Sequence, residues 1–213
     1  MGKEKWDIYY TKKSPIVKFI EFVNEIYFSK IFELSFRSIV KSLNRKKILE
    51  AACGSGIMSS RIAKQGAVVT LLDISVNALN IAKYNFNKAG VSAEFIRGDI
   101  LNMPFKNETY DIVWNQGVLE HFDNPEKVLK EMGRVTKKGG FIIAYVPAFF
   151  SPLHFIYLFL NLIKHKELWP FDEQIFFKKS QLKSAFEKAG FKNIKIYRLP
   201  LSIGFSMVGY CRK

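Results

Sequence analysis

The sequence predicts an α/β fold built on a doubly wound, mostly parallel sheet. Three observations carry this. From Lys47 onward, apolar runs of strand length alternate with helix-length amphipathic stretches, which is the pattern of successive βαβ units. The first run, Lys47 to Cys53, breaks into Gly54-Ser55-Gly56, and Ile57, Met58, Arg61 and Ile62 follow at helical spacing. A continuous apolar run ending in turn residues fits a strand buried on both faces. Glycines at its end let the backbone turn tightly and pass close to a ligand, with the amides of the next helix facing it. The second run, Val68 to Asp73, ends in an acid 23 residues after Glu50. From there a carboxylate accepts hydrogen bonds from a ribose diol.

The elements follow in order. Residues 1–13 set Trp6, Tyr9 and Tyr10 in a charged context, suited to folding over a bound ligand or anchoring at the surface. Ser14-Pro15 is a helix start, Ser as N-cap and Pro at the first helical position. Apolar residues from Ile16 through Ile31, Leu34 and Phe36 then recur at helical spacing to about Leu43. This face packs on the domain, covers an apolar substrate or touches a membrane surface.

Strands are expected near 47–53, 68–73, 93–97, 110–115 and 140–146, and helices near 57–65, 76–89 and 124–136. Right-handed crossovers bring the strand C-terminal ends to one edge. That edge collects Cys53–Gly56, Asp73, Asp99 and Asn115–Gly117. Ala148 to Ile163 is mostly apolar but too short to span a bilayer, and Pro152, His154 and Asn161 interrupt it. It reads as a substrate-covering cap, with Trp169-Pro170-Phe171-Asp172 as a rim loop. Ser180 caps a last helix ending at Gly190. Residues 193–199 and 205–211 read as two final strands.

A chain of 213 residues suits one domain with a small addition: an N-terminal helical lid over 1–46 and the main domain over 47–213, with a cap insertion at 148–177. Two cysteines, Cys53 and Cys211, form no metal spacing and no disulfide framework, which points to a reducing cytoplasm. The N-terminus is polar and reads as carrying no secretory signal. The formal charge is +14, and it sits at the ends: 11 basic against 5 acidic residues over 1–47, and 9 against 1 over 178–213. Basic ends attract nucleic acid, anionic lipid or an anionic substrate, or form a solvated lysine-rich surface.

Glu50-Ala51-Ala52-Cys53-Gly54-Ser55-Gly56 resembles the first motif of the class I S-adenosylmethionine-dependent methyltransferases, with Ala52 where that family usually has its first glycine. Leu71-Leu72-Asp73-Ile74-Ser75 resembles the second motif and Gly98-Asp99-Ile100 the third. Tyr110 to His121 resembles the fourth strand with its turn, and Lys137-Lys138-Gly139-Gly140 the approach to the fifth. The resemblance covers residues 47–147 and points to the small-molecule, type 11-like branch. It implies a Rossmann-like, seven-stranded, mostly parallel sheet with an antiparallel C-terminal strand. It also implies S-adenosylmethionine as cofactor and S-adenosylhomocysteine as product. Glu50 would hold the methionine amine, with Ala51, Gly54 and Gly56 lining its path. Asp73 would take the ribose hydroxyls, Ile74 and Ile100 the faces of the adenine, and Asp99 its exocyclic amine. Asn115 and Gln116 would flank the sulfonium end.

His121, just after the fourth strand, is the candidate base, because histidine titrates near neutrality; the alternative is a cofactor or loop contact. Tyr145, His154 and Phe171 are candidates for contact with the acceptor. No metal is expected, since the fourth strand ends in Asn115 and Gln116 rather than paired acids. There is no Asn-Pro-Pro-Tyr after that strand and no cysteine placed for nucleophilic attack on a pyrimidine. The expected reaction is methyl transfer to a small, partly apolar acceptor. Oxygen is favoured by the histidine base, and the basic ends and aromatic cap suit a lipid-linked acceptor or peripheral membrane contact. The rival readings are an RNA methyltransferase using the basic ends and a cofactor-binding, non-catalytic partner subunit. No RNA-binding module is recognisable, and Glu50 and Ser59 disfavour a dehydrogenase.

Overall fold

A computed structural model describes residues 6–7, 29–164, 175–199 and 206–213. Seven strands form one sheet: β1 (Lys47–Ala51), β2 (Val68–Asp73), β3 (Glu94–Arg97), β4 (Tyr110–Gln116), β5 (Thr136–Pro147), β6 (Lys195–Arg198) and β7 (Ser206–Arg212). Their order is β3-β2-β1-β4-β5-β7-β6. The first five are mutually parallel, and β7 runs antiparallel to both β5 and β6. The expected antiparallel C-terminal strand is β7, which pairs between β5 and the edge strand β6.

The helices are α1 (Ser29–Ile39), α2 (Ile57–Ala63), α3 (Val76–Ala89), α4 (Pro125–Val135), α5 (Pro152–Leu162) and α6 (Lys179–Lys188). Strand side chains alternate between two apolar layers, as the pleat dictates. Ile48, Leu71, Ile112, Trp114, Ile143 and Tyr145 meet α1, α2 and α3. Leu49, Leu72, Val113, Ile142 and Ala144 meet α4 and α6. The order β2-β1-β4 places the reversal of strand order at β1, so the ends of β1 and β4 border the crevice where doubly wound sheets bind ligands.

Several boundaries differ from the sequence reading. The last helix starts at Lys179 with Lys178 as its N-cap, so Ser180, expected as the cap, lies within its first turn. The helix expected over 124–136 stops at Val135, and Thr136 already pairs with Tyr110. The ladder then shifts register before Ile112 meets Phe141, and the intervening chain turns at Gly139 with φ 74°. Of the N-terminal segment, α1 and Trp6–Asp7 are described; the expected helix over 16–28 lies outside the described residues. Among the described residues no helix is long and apolar enough to cross a membrane.

Candidate active site

The chain leaves β1 by a turn in which every second residue is left-handed: Ala52, Gly54 and Gly56 have φ of 61°, 51° and 64°. The turn is tied down by Cys53 N–H donating to Leu72 O at 3.0 Å and Gly56 N–H donating to Cys53 O at 2.9 Å. A Cβ on Gly56 would stand 3.1 Å from Ala82 Cβ and 3.3 Å from Leu71 Cδ1. The glycine thus lets the start of α2 close onto α3 and β2. Ala52 holds the same kind of backbone without that freedom, at about 1 kcal/mol of steric cost. Ala52→Gly is expected to raise the thermal midpoint by about 2–4 °C, the shift that about 1 kcal/mol makes in a chain of this size. A calorimetric scan showing no gain would mean that the turn carries no strain.

Asp73 closes the other side of the turn. Its Oδ2 accepts from Gly54 N–H and its Oδ1 from Ser75 N–H, both at 2.9 Å. Burial pushes its carboxyl pKa up, against the pull of the amides of Ser75, Gly54 and Ile74. A carboxylate offers about four lone-pair sites, so Asp73 keeps acceptor capacity for a ligand's hydroxyls. Ser75 caps α3, accepting from Ala78 N–H at 3.2 Å, and donates its own hydroxyl to Asp7 Oδ1 at 2.6 Å. Asn77 Nδ2 donates to the Asp7 carbonyl at 3.2 Å. The neighbouring Trp6 meets the His121 ring edge-on, centroids 5.1 Å apart. Trp6–Asp7 therefore reaches from the turn after β2 to the turn after β4, a strap across the end of β1.

Buried polar side-chain atoms nearly always have a hydrogen-bond partner. Glu50 Oε2, Ser59 Oγ, Trp114 Nε1, Asn115 Oδ1 and Glu120 Oε2 have none. Glu50 and Trp114 are cross-strand neighbours on the face shared with α1 to α3, and Ser59 lies in α2 just beyond the turn. Burial pushes the Glu50 carboxyl up to about 8; the Ser59 hydroxyl opposes the shift and the nearby Asp73 charge adds to it. Glu120, on the single 3-10 turn Leu119–His121 after β4, is pushed up to about 8 by burial too. Glu50, Ser59 and Trp114 thus stand near the glycine turn on one face of the sheet, and Asn115 and Glu120 stand at and just past the end of β4.

The other sequence candidates divide. Gln116 is exposed at the end of β4 and Ile74 is half-buried just past β2. Gly98 N–H donates to Asp73 O at 3.0 Å, which brings Asp99 and Ile100 to the same edge. Asp99 is exposed, and its Oδ1 accepts from Leu101 N–H at 2.9 Å. Asn115 is turned inward, its amide donating to Met132 Sδ at 3.2 Å in α4. Two of the acceptor candidates are buried and bonded within the fold. Tyr145 is buried beneath α1, its hydroxyl bonded to Ser35 Oγ at 3.3 Å and its ring edge-on to Phe32. His154 is buried in the cap, its Nδ1 accepting from Phe150 N–H at 3.3 Å between the rings of Phe149 and Phe176. Burial pulls its imidazole pKa down. Phe171 and the expected rim loop lie outside the described residues. Among the described residues no cluster of three His, Cys, Asp or Glu could hold a metal ion.

Sequence reasoning did not assign a role to Glu120 or foresee the partners of Asp7. The signal for Glu120 was local, an acid set between Val118, Leu119 and Phe122. For the strap, the aromatic Trp6 was legible as a residue that could fold over a ligand, but the partners of Asp7 were not, because those hydrogen bonds join residues 68 and 70 positions apart.

Comparison with known proteins agrees with this geometry. Residues 49–144 match the family model described as a methyltransferase domain. A ubiquinone biosynthesis O-methyltransferase of Escherichia coli is 32% identical over 110 residues, 51% of this chain and 43% of that protein. The chain thus spans under half the length of the curated relatives it matches. Among solved structures, a SAM-dependent methyltransferase of Thermotoga maritima superposes with a TM-score of 0.68 at 22% identity, over 92% of this chain and 95% of that one. The [4+2]-cyclase SpnF superposes with a TM-score of 0.64 at 16% identity, over 85% and 79%.

Proposed function

We propose, from the match of residues 49–144 to a methyltransferase-domain family model and from the geometry of the site, that this protein is a class I S-adenosylmethionine-dependent methyltransferase that transfers a methyl group to a small, partly apolar acceptor, with oxygen as the favoured atom. The family's cofactor is S-adenosylmethionine, and the residues present fit it. The observation that carries the reading is Asp73: a buried carboxylate at the end of β2, tied to the glycine turn by the Gly54 amide, held on its other oxygen by the Ser75 amide, and set near Glu50, whose Oε2 lacks a partner. Asp73 would hold the ribose hydroxyls. Glu50, with a buried oxygen lacking a partner, would hold the methionine ammonium. When bound, the cofactor supplies an electrophilic methyl group on a positively charged sulfur.

The chain's own work is to bind, orient and exclude water. The Trp6–Asp7 strap covers the end of β1. His121, held beside Trp6, is the group that takes the proton from an acceptor hydroxyl. The aromatic residues Phe149, Phe150 and Phe176 of the cap favour an acceptor with an apolar part, and the name of the Escherichia coli relative favours oxygen as the atom.

The test is calorimetric titration with S-adenosylmethionine and S-adenosylhomocysteine. Micromolar binding is expected, weakened at least tenfold in Asp73→Asn, about 1.4 kcal/mol. Methyl transfer from labelled cofactor to a panel of phenols is then followed in wild type and His121→Gln. The variant should keep its cofactor affinity and lose turnover. Absence of cofactor binding by the wild type would sink the assignment, and an active His121→Gln would remove the base.

A further inference from the structure

Helix α5 is turned inside out for a helix in water. Its inward side carries the buried His154 and half-buried Tyr157. On its outward side Phe155, Ile156, Leu158, Phe159, Leu162 and the following Ile163 are 41–80% exposed. At 100° per residue these six cover an arc of roughly 160°, uninterrupted by a polar side chain. Phe150, just before the helix, is 65% exposed. Water-facing helices show a polar outer face, and contiguous exposed apolar surface marks an interaction site.

Among the described residues, the charges placed beside this face are basic. Lys164 follows the helix, and Lys179 opens α6. Lys178 Nζ stands 4.9 Å over the Phe149 ring, and Arg198 donates to the Phe149 carbonyl. Residues 148–164 and 175–186 contain no Asp or Glu. An apolar face rimmed by cations is complementary to an anionic phospholipid surface, where acyl chains take the side chains and phosphates take the lysines and arginine. A second copy meeting the same face would set these cations against their own kind, which disfavours such an interface.

We propose that α5 docks this protein on an anionic membrane surface. The helix is about 16 Å long and lies in the headgroup interface instead of crossing it. Ile175, 43% exposed, donates its N–H to the Glu120 carbonyl at 3.1 Å, which ties the chain beyond α5 to the turn after β4. The inference stands apart from methyl transfer, since membrane docking requires no cofactor.

The test is co-sedimentation of the full chain with vesicles of phosphatidylcholine alone and of phosphatidylcholine with phosphatidylglycerol, without cofactor. Binding is expected to the anionic vesicles and to weaken as salt is added. Phe159→Ser with Leu162→Ser is expected to lower the partition coefficient at least about tenfold. Both residues are exposed, so the thermal midpoint should not move. No binding to anionic vesicles at low salt overturns the proposal, as does equal binding by wild type and the double variant. Sedimentation velocity without vesicles supplies the other arm. Self-association abolished by the same substitutions, in a protein that ignores vesicles, assigns the face to a second copy and overturns membrane docking.

Discussion

Glu50→Gln is expected to weaken S-adenosylmethionine binding about 100-fold at pH 8 while making the ligand-free protein more stable there. Both effects follow from one buried carboxyl with an oxygen that no protein group satisfies. In the ligand-free fold its pKa is pushed from 4.5 up to about 8 by burial. Below about pH 4.5 the folded and unfolded chains both hold the proton, and the stabilising effect of the raised pKa is complete. Between about 4.5 and 8 the unfolded chain ionises while the fold keeps its proton, so stability falls as pH rises. Above about 8 the loss is complete. Each pH unit in that window removes at most about 1.4 kcal/mol per group. Glu120, also pushed up to about 8, adds a second contribution of the same sign. Glutamine does not titrate, so Glu50→Gln should remove its share of the slope, and the double variant with Glu120→Gln the share of both, leaving the smaller contributions of groups such as Asp73.

Binding runs the other way. A ligand ammonium beside Glu50 favours the carboxylate, so the cofactor expels the proton and its affinity rises with pH up to about 8. Glutamine cannot supply the charge, and a hydrogen bond to a charged group is worth about 1.5–3 kcal/mol, at its upper end about 100-fold. Thermal scans and calorimetric titrations across that pH range check both halves. A cofactor affinity indifferent to pH and to the substitution would remove Glu50 from the site, even if the stability half held.

How much of this was legible beforehand depended on how local the cause was. Four of the five parallel strands could be read because each holds an apolar run long enough to cross a buried sheet, with β3 a short edge strand of which only Phe95 and Ile96 are half-buried, and Gly54, Gly56 and Asp73 because they punctuate the ends of two such runs. Topology then sent them to one edge. What escaped was set by distant partners. Tyr145 shares a face with Ile143 by simple alternation, but its cover is Ser35 of α1, 110 positions away. Sequence placed an aromatic near the site and had no means of seeing that its hydroxyl was already engaged. The same holds for β7, whose place between β5 and β6 is decided by pairing alone. Ala52 is the instructive intermediate: its departure from the usual glycine was visible in the motif, but the left-handed φ that makes the departure costly was not.

Phe36→Ala is expected to destabilise the whole domain by about 3–5 kcal/mol, the range for a large-to-small change at a fully buried aromatic. At this chain length that lowers the thermal midpoint by about 10 °C. Phe36 is fully buried and lies edge-on to Trp114 of β4 at 5.6 Å. Around it Ile31, Phe32, Ile39, Val40 and Leu43 are buried as well, and Ser35 bonds the hydroxyls of Tyr145 on β5 and Tyr197 on β6. A segment attached in this way is a layer of the domain, covering strands that would otherwise face water with Ile112, Trp114 and Ile143. A detachable lid makes the opposite forecast. Under it, Phe36→Ala would leave the global transition by far-ultraviolet circular dichroism where it was. Only local probes at α1, such as amide hydrogen exchange over residues 29–43, would loosen. Following both signals on the same variant separates the two. A global midpoint that falls together with the loss of exchange protection across the sheet makes α1 part of the fold that holds the site, and an unmoved midpoint returns it to the role of a cover.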